Sequence, residues 1–272
     1  MIVGICMVKN EQDVLDTVLR HLLAEGVDHL IVADNLSTDN TPHILNDLEA
    51  CGAPITVIQD PVLAYVQDSK MSRLARRAYE AGADWVLPFD ADEIWYGVDP
   101  QTGEPCRIAD ALSQVDDEIQ VVRAFGWDHI VREGGSVTYD SDDFDDVTRW
   151  VLGEEDGPPG FSPWRRAETQ KLAKVAFRAH PDARMHMGNH DVTLPGPSVV
   201  GPLAFRHFQY RSLEQMTTKL RQGRDAYEAS DVHPMHGTHW RAGGLKSDAE
   251  LAAEWAELCA EDGLIFDPAP IR

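Results

Sequence analysis

The chain has 272 residues, enough to bury a sizeable core in one large α/β domain or two small ones. Hydrophobic residues make up 43% and charged residues 26%, ordinary for a globular protein, but the formal net charge is −22. That acidity argues against nucleic acid or an anionic membrane as the main partner, and its plain reading is solubility or a salty habitat. It also means that a phosphate-bearing ligand needs a metal or a local basic patch.

Cys6, Cys51, Cys106 and Cys259 are scattered without a C-x-x-C pair, so neither a zinc site nor a disulfide framework is expected, and a reducing compartment fits. No apolar run approaches the length of a membrane span. Ile2 to Val8 is too short for a leader and runs straight into folded pattern, so a cytoplasmic location is expected.

Ile2 to Val8 is a continuous apolar run, the pattern of a strand buried on both faces. It ends in Lys9-Asn10-Glu11. Val14, Leu15, Val18, Leu19, Leu22 and Leu23 then share a helix face, with Gly26 just past the end. His29 to Ala33 is a second strand, closed by the polar turn Asp34 to Thr41. Pro42 suits a first helical turn, followed by Ile44, Leu45 and Leu48. Pro54 to Ile58 reads as a third strand and Ser69 to Ala81 as a third helix. Trp85 to Phe89 is a fourth strand, ending in Asp90-Ala91-Asp92-Glu93.

This alternation predicts a parallel sheet flanked by helices. Ligands bind beyond the carboxyl ends of such strands, where Lys9-Asn10-Glu11, Asp34, Asp60 and Asp90 all fall. Residues i and i+2 of an extended chain point to the same side, so Asp90 and Asp92 can aim at one point across the small Ala91. Two carboxylates that close repel unless a cation separates them, and a hard ion with oxygen ligands, Mg²⁺ or Mn²⁺, suits the task. The plain alternative is a solvated acidic turn. The apolar flanks weigh against it, because they hold the acids at the edge of a core.

Beyond Ile94 the pattern loosens. Residues 99–106 read as a loop, Ile108 to Val115 as a short helix and Ile119 to Phe125 as a strand with one polar face. Residues 140–160 are an acidic surface stretch ending in Gly-Pro-Pro-Gly. Lys171 to Phe177 is a further strand. Leu213 to Ala229 and Ser247 to Cys259 are amphipathic helices. Between them lies a Pro/Gly-broken segment with His233, His236, His239 and Trp240, read as a loop over the cleft rather than a metal site.

The stretch Met7-Val8-Lys9-Asn10-Glu11 resembles the opening of family 2-type glycosyltransferases with the GT-A fold, and so does Val32 to Thr41. Ala33 replaces the family's first acid and Leu36 is inserted in its polar run. Both departures resemble a divergent subgroup that opens with K-N-E and ends its DxD motif as Asp-Ala-Asp-Glu. Phe205 to Glu214, with Lys219 and Gly223, is similar to that subgroup's C-terminal His-aromatic-x-x-basic-Ser pattern. The likeness covers the first hundred residues well and the rest in pieces.

The resemblance implies a GT-A-like, Rossmann-type, mostly parallel sheet flanked by helices, with a C-terminal helical extension. Residues 1–118 would be the nucleotide-sugar-binding half, 119–212 the acceptor and metal-completing half of the same domain, and 213–272 the extension. It implies a nucleoside diphosphate sugar as donor, an unspecified glycan, lipid or small-molecule acceptor, and inverting chemistry in which a Mn²⁺ or Mg²⁺ ion stabilises the leaving diphosphate. Asp90 and Asp92 would hold the ion, with Asp90 also reaching the ribose. Asp34 would meet the base or ribose, and Lys9, Asn10 and Glu11 would line the nucleotide pocket. Asp68, Lys70 and Arg73 are candidates for the donor side, Arg73 being equally readable as a solvated helix face. Glu93 would support the acceptor side or orient the loop.

Members of this fold often complete the metal shell with a late histidine, for which His186, His190 and His207 are candidates, His190 and then His207 preferred. Inverting transfer also needs a base at the acceptor hydroxyl. Asp128, beside Trp127, is expected in that role, with Asp191 as its rival. Trp127 would stack on a sugar or pack in the core. Two other readings stay open: a phosphatase or phosphotransferase of haloacid dehalogenase type with Asp90 as nucleophile, and a non-catalytic sugar-binding protein on the same fold. The former normally opens its core domain with the Asp-x-Asp strand, whereas here that strand is the fourth.

Overall fold

The computed structural model of the 272-residue chain describes all residues except 65, 133–135, 141–148, 154–160, 168–170, 234, 268–269 and 272. For 136–140, 149–153, 171–173 and 270–271 only the backbone is described.

The first third alternates as its apolar runs predict: β1 (Ile2–Val8), α1 (Leu15–Ala24), β2 (His29–Asp34), α2 (Thr41–Ala50), β3 (Ile55–Gln59), α3 (Gln67–Glu80) and β4 (Trp85–Pro88). The helix α3 begins two residues earlier than the sequence suggested. The segment around Ile94, beyond which the apolar pattern loosens, continues as β5 (Glu93–Val98), which turns back through β6 (Pro105–Cys106), a short strand inside the stretch 99–106 expected to be a loop, before α4 (Ile108–Ser113). Next come β7 (Val121–Asp128), β8 (Ser136–Asp140) and β9 (Arg149–Gly153). The acidic stretch 140–160 therefore contains a strand, while the rest of it lies largely outside the described residues. Then follow β10 (Trp164–Arg166), β11 (Lys171–Arg178), β12 (Arg184–Met185), β13 (Val192–Thr193) and β14 (Ser198–His207). The chain closes with α5 (Leu213–Glu228), α6 (Thr238–Gly244), α7 (Asp248–Cys259), β15 (Leu264–Phe266) and β16 (Pro270–Ile271).

Nine strands form one sheet in the order β3-β2-β1-β4-β11-β7-β14-β5-β6. The β3-β2-β1-β4 half is parallel. In the other half β11 runs antiparallel to both neighbours, β14 is parallel to β7, and β5 is antiparallel to β14. A mixed sheet of this kind, with its parallel half covered on both faces, follows from the continuous Val/Ile/Leu runs of β1, β2 and β4. One apolar core packs α1, α2 and α4 against one face through Leu15, Leu19, Leu22, Leu45 and Ile108, with Phe89, Trp95 and Phe205. The other packs α3 through Met71, Leu74, Ala75 and Ala78 against Val3, Ile5, Val86, Val175 and Phe177. A small third cluster of Met216, Leu220 and Leu251 joins α5 to α7.

The register that matters for function lies between β5, β14 and β7. His207 of β14 stands opposite Glu93 of β5 on one side and Asp128 of β7 on the other. The chain thus brings the end of its fourth-strand acidic turn, its late histidine and its mid-chain aspartate together at one end of three neighbouring strands.

Candidate active site

The acids leave the sheet through a tight turn. Phe89 N donates to Ile5 O (3.0 Å), and Glu93 N donates back to Asp90 O (3.1 Å). Glu93 Oε2 accepts from Asp90 N and from Trp95 Nε1, both at 3.0 Å. Glu93 is thus folded beneath the turn and fully buried, where it orients the loop. Burial pushes its carboxyl above the ordinary carboxylate range, against the pull of Lys174.

Each remaining acid has at least one cation, and the cations are shared among them. Lys174 Nζ, reaching in from β11, lies 2.5 Å from Asp90 Oδ2 and 3.1 Å from Glu93 Oε1. Asn189 Nδ2 donates to Asp90 Oδ1 (2.9 Å). Lys219 Nζ, from α5, donates to Asp92 Oδ2 and lies 3.6 Å from Glu11 Oε1. Arg211 forks onto Asp13 (Nε to Oδ2, 2.7 Å; Nη2 to Oδ1, 2.9 Å), donates to Glu11 and to Phe208 O (2.9 Å), and lies 3.8 Å from Asp92 Oδ2. His207 Nδ1 donates to Asp128 Oδ1 (3.0 Å), with Nε2 3.6 Å from Asp92 Oδ2.

Burial opposes every charge in this cluster, and the partners overrule it for most. Desolvation would neutralise His207, but Asp92 and Asp128 push it up to about 10. Asp92 is held well below the usual carboxylate range despite its burial, by Lys219, His207 and Arg211. Lys174 is raised, burial being outweighed by Asp90 and Glu93. For Glu11 burial wins over Lys219 and Arg211, and its carboxyl is raised.

These groups line a cleft of about 650 Å³. Of the expected site residues, Lys9, Glu11, Asp90, Asp92, Asp128, His190 and His207 meet there. The other expected residues do not line it. Asn10 has φ 54°, and its Oδ1 accepts from Thr38 N (2.7 Å), so it ties two loops together. Asp34 is buried and accepts from Ser37 N (3.2 Å). Lys70 is ion-paired with Asp60 (2.5 Å), and both, with Asp34, lie close enough to act on the charge of Lys9. Lys9 is itself lowered by burial and then by Lys70. Asp68 accepts from Ser69 N in the first turn of α3 (2.8 Å), and Arg73 is exposed on that helix. Asp191, the rival base, is held by Arg123 (3.0 Å) and by Val192 N (2.8 Å). His186 bonds Thr193 Oγ1 (2.9 Å), and Trp127 lies beneath the Arg165 guanidinium at 5.6 Å.

The sequence reading did not single out Lys174, Gln67 or Tyr227, and it placed Arg211 only as the basic residue of the His-aromatic-x-x-basic-Ser pattern. A signal existed for the first. The chain has only six lysines against eighteen arginines, and Lys174 sits inside the apolar strand of β11. A lysine on a buried strand face demands a carboxylate. Three of the six lysines (Lys9, Lys174, Lys219) line this cleft. Over it lies α6, whose His239 and Trp240 form part of the wall, where a loop was expected.

Does this set suit a divalent cation? Hard carboxylate oxygens with one imidazole are the donors Mg²⁺ and Mn²⁺ take. Seven carboxyl groups (Glu11, Asp13, Asp90, Asp92, Glu93, Asp128, Glu261) stand within ion-pair reach of five basic groups (Arg166, Lys174, His207, Arg211, Lys219), an excess of two acids. The carboxylate donors fit such an ion, and His207 would join them only after giving up its proton. The arrangement differs from the sequence expectation, because Asp90 and Asp92 face separate ammonium groups instead of one shared point. Among the described residues no group of three or more His, Cys, Asp or Glu is gathered around a common position.

Residues 5–97 match the model of Glycosyl transferase family 2. Over that third of the chain the sequence is similar to family 2, and β1 to β4 within it form the parallel half of the mixed sheet. No curated protein matches the chain. Among solved structures it is similar to the mannosyltransferase PcManGT from Pyrobaculum calidifontis in complex with GDP-Man and Mn²⁺, with 15% identity and a TM-score of 0.45, covering 96% of this chain and 75% of that one. It is also similar to glucosyl-3-phosphoglycerate synthase from Mycobacterium tuberculosis in complex with Mn²⁺, UDP and glucosyl-3-phosphoglycerate, with 21% identity and a TM-score of 0.33, covering 46% of this chain and 44% of that one. A mycobacterial protein shares 19% identity over 47% of this chain and 41% of its own, with a TM-score of 0.33. The chain thus spans less than half the length of the two mycobacterial proteins. No helix among the described residues is long and apolar enough to cross a membrane.

Proposed function

We propose that this protein transfers a sugar from a nucleoside diphosphate sugar to an acceptor hydroxyl, using a divalent cation and inverting the anomeric centre. One observation carries the reading: groups from β1, the β4 exit, β7, β14 and α5 meet in a single cleft. Asp90 and Asp92 would hold the Mn²⁺ or Mg²⁺ ion, and a late histidine would join them. His207 stands nearest to Asp92, and His190 stands on the wall beside Gly188. The ion supplies charge to the departing diphosphate.

The nucleoside lies towards Lys9 and the Asp34, Asp60 and Lys70 group behind it, which agrees with residues 1–118 serving as the donor half. Asp128 is favoured over Asp191 as the base, because Asp128 lines the cleft and Asp191 does not. His207 orients the Asp128 carboxylate by holding Oδ1, and Arg166 Nη1 stands 3.8 Å from Oδ2, the oxygen assigned here to the acceptor hydroxyl. The acceptor enters below α6, past Trp240 and Tyr227, so that 213–272 acts as a cover.

The test is a thermal-shift panel of nucleoside diphosphates and their sugars with and without Mn²⁺, followed by turnover of the stabilising donor. A bound donor at about 100 times its Kd stabilises the fold by about 2.7 kcal/mol, well above detection. Asp92→Asn is expected to abolish turnover. If that variant turns over donor like the wild type, or no nucleotide shifts the midpoint, the reading is wrong. Release of phosphate from simple phosphate esters would instead favour Asp90 as a nucleophile.

A further inference from the structure

We propose that Lys174 and Lys219 are ligands of the donor diphosphate which, before donor arrives, act as the resident counter-ions of Asp90 and Asp92. They exclude a lone divalent cation and admit the metal together with its nucleotide. The inference rests on the glycosyltransferase reading above and adds two binding residues and an order to it.

The cluster separates into fixed and movable cations. Arg211 is fixed: its guanidinium is spread over Asp13, Glu11 and Phe208 O, and its side chain is 1% exposed. Such a planar fork bound on several sides cannot turn to a new partner without abandoning them all. Lys174 and Lys219 are point charges on flexible four-carbon stems, each bound through one ammonium group. Lys219 retains 21% side-chain exposure and its stem comes from α5, on the far wall of the cleft from the acidic turn. The chain uses arginine three times as often as lysine, eighteen to six, yet the cations touching the Asp-x-Asp carboxylates through a single movable group are both lysines.

Charge conservation sets the order. A divalent cation entering alone must draw Asp90 and Asp92 away from two ammonium groups, which then keep only their second carboxylates, Glu93 at 3.1 Å from Lys174 and Glu11 at 3.6 Å from Lys219, a costly separation. A diphosphate arriving with the cation changes the exchange. The carboxylates pass to the metal and the ammonium groups pass to phosphate oxygens, so every buried charge keeps a partner. The same exchange explains how a protein of net charge −22 can receive a polyanion.

The experiment uses the full chain and two titrations followed by Mn²⁺ electron paramagnetic resonance: Mn²⁺ alone, and Mn²⁺ with each of UDP, GDP, ADP and dTDP. In the wild type Mn²⁺ alone is expected to bind about tenfold or more weakly than Mn²⁺ with the accepted nucleotide. Lys219→Met is expected to tighten Mn²⁺ alone and to weaken the Mn²⁺–nucleotide pair, each by about tenfold. Equal affinity of the wild type for Mn²⁺ with and without an accepted nucleotide overturns the proposal and leaves the glycosyltransferase reading standing. So does a Lys219→Met protein that folds and binds both as the wild type does. If none of the nucleotides binds with Mn²⁺, both readings fall together. Should Lys219→Met not fold, Lys219→Gln, which keeps a donor toward Asp92, takes its place, and the wild-type pair of titrations decides on its own.

Discussion

His129 is a single residue whose burial makes a measurable pH signature. It is 2% exposed, packs against the Phe208 ring at 4.7 Å, and its Nδ1 lies 2.6 Å from Ser162 O, to which it donates. Burial lowers its pKa from the ordinary 6.5, with Asp267 pulling the other way at 3.6 Å. Below that value the unfolded chain binds a proton that the folded protein resists, so stability rises with pH and is lost as pH falls through 6.5. The slope approaches about 1.4 kcal/mol per pH unit at most. His129→Asn keeps a donor for Ser162 O and cannot titrate. Urea unfolding between pH 5 and 7.5 is expected to give a flatter profile for the variant, and parallel profiles would contradict a buried neutral imidazole. Single residues were also where sequence reasoning stopped short. Asp128 and His207 could be named, since an acid and a histidine closing strands announce themselves. Their mutual bond could not, because it depends on the parallel pairing of β7 with β14 across nearly eighty residues. Leu36 is similar: an extra residue in a polar run was visible, but its exposed left-handed conformation (φ 58°) was not.

Glycines decide how the last helices dock. A Cβ on Gly223, midway along α5, would stand 2.6 Å from the Trp240 ring of α6, and one on Gly237, at φ 64°, would stand 2.4 Å from the Tyr227 ring. Two aromatic faces thus lie directly on backbone, which seats α6 over the cleft. Gly223→Val is expected to lever Trp240 away, with an overpacking cost of about 1–3 kcal/mol. The loss should be local: amide exchange across 238–244 should quicken while β1, β2 and β4 keep their protection. Unchanged exchange in α6 would show that Trp240 is not what holds it. Neither glycine carried that meaning in the sequence, since each acts through a ring distant in the chain. The same logic separates legible strands from hidden ones. β1, β2 and β4 are buried on both faces and read as unbroken apolar runs. β5 and β14 mix glycine, proline and charge, and they are strands because each completes the other's hydrogen bonds.

Over the molecule as a whole, the distribution of charge is as informative as its sum. The net charge of −22 is spread over a chain whose described acids often stand on exposed helix faces, while five basic groups (Lys9, Lys174, His207, Arg211, Lys219) gather around one acidic turn. The global field resists compaction, and the local cluster resists solvent. Salt acts on the two differently, because screening reaches exposed charges and barely touches buried pairs. Raising NaCl from 0.01 M to 0.15 M shortens the screening length from about 30 Å to about 8 Å. The long-range repulsion among surface carboxylates then fades, whereas the ion pairs of Lys174 and Arg211, whose side chains are 6% and 1% exposed, keep their strength. The thermal midpoint at pH 7 is therefore expected to rise over this salt range, measured by calorimetry in a buffer free of divalent ions. A midpoint that falls instead would mean that exposed pairs such as Arg20–Asp16 and Arg76–Glu80 outweigh the excess of negative charge.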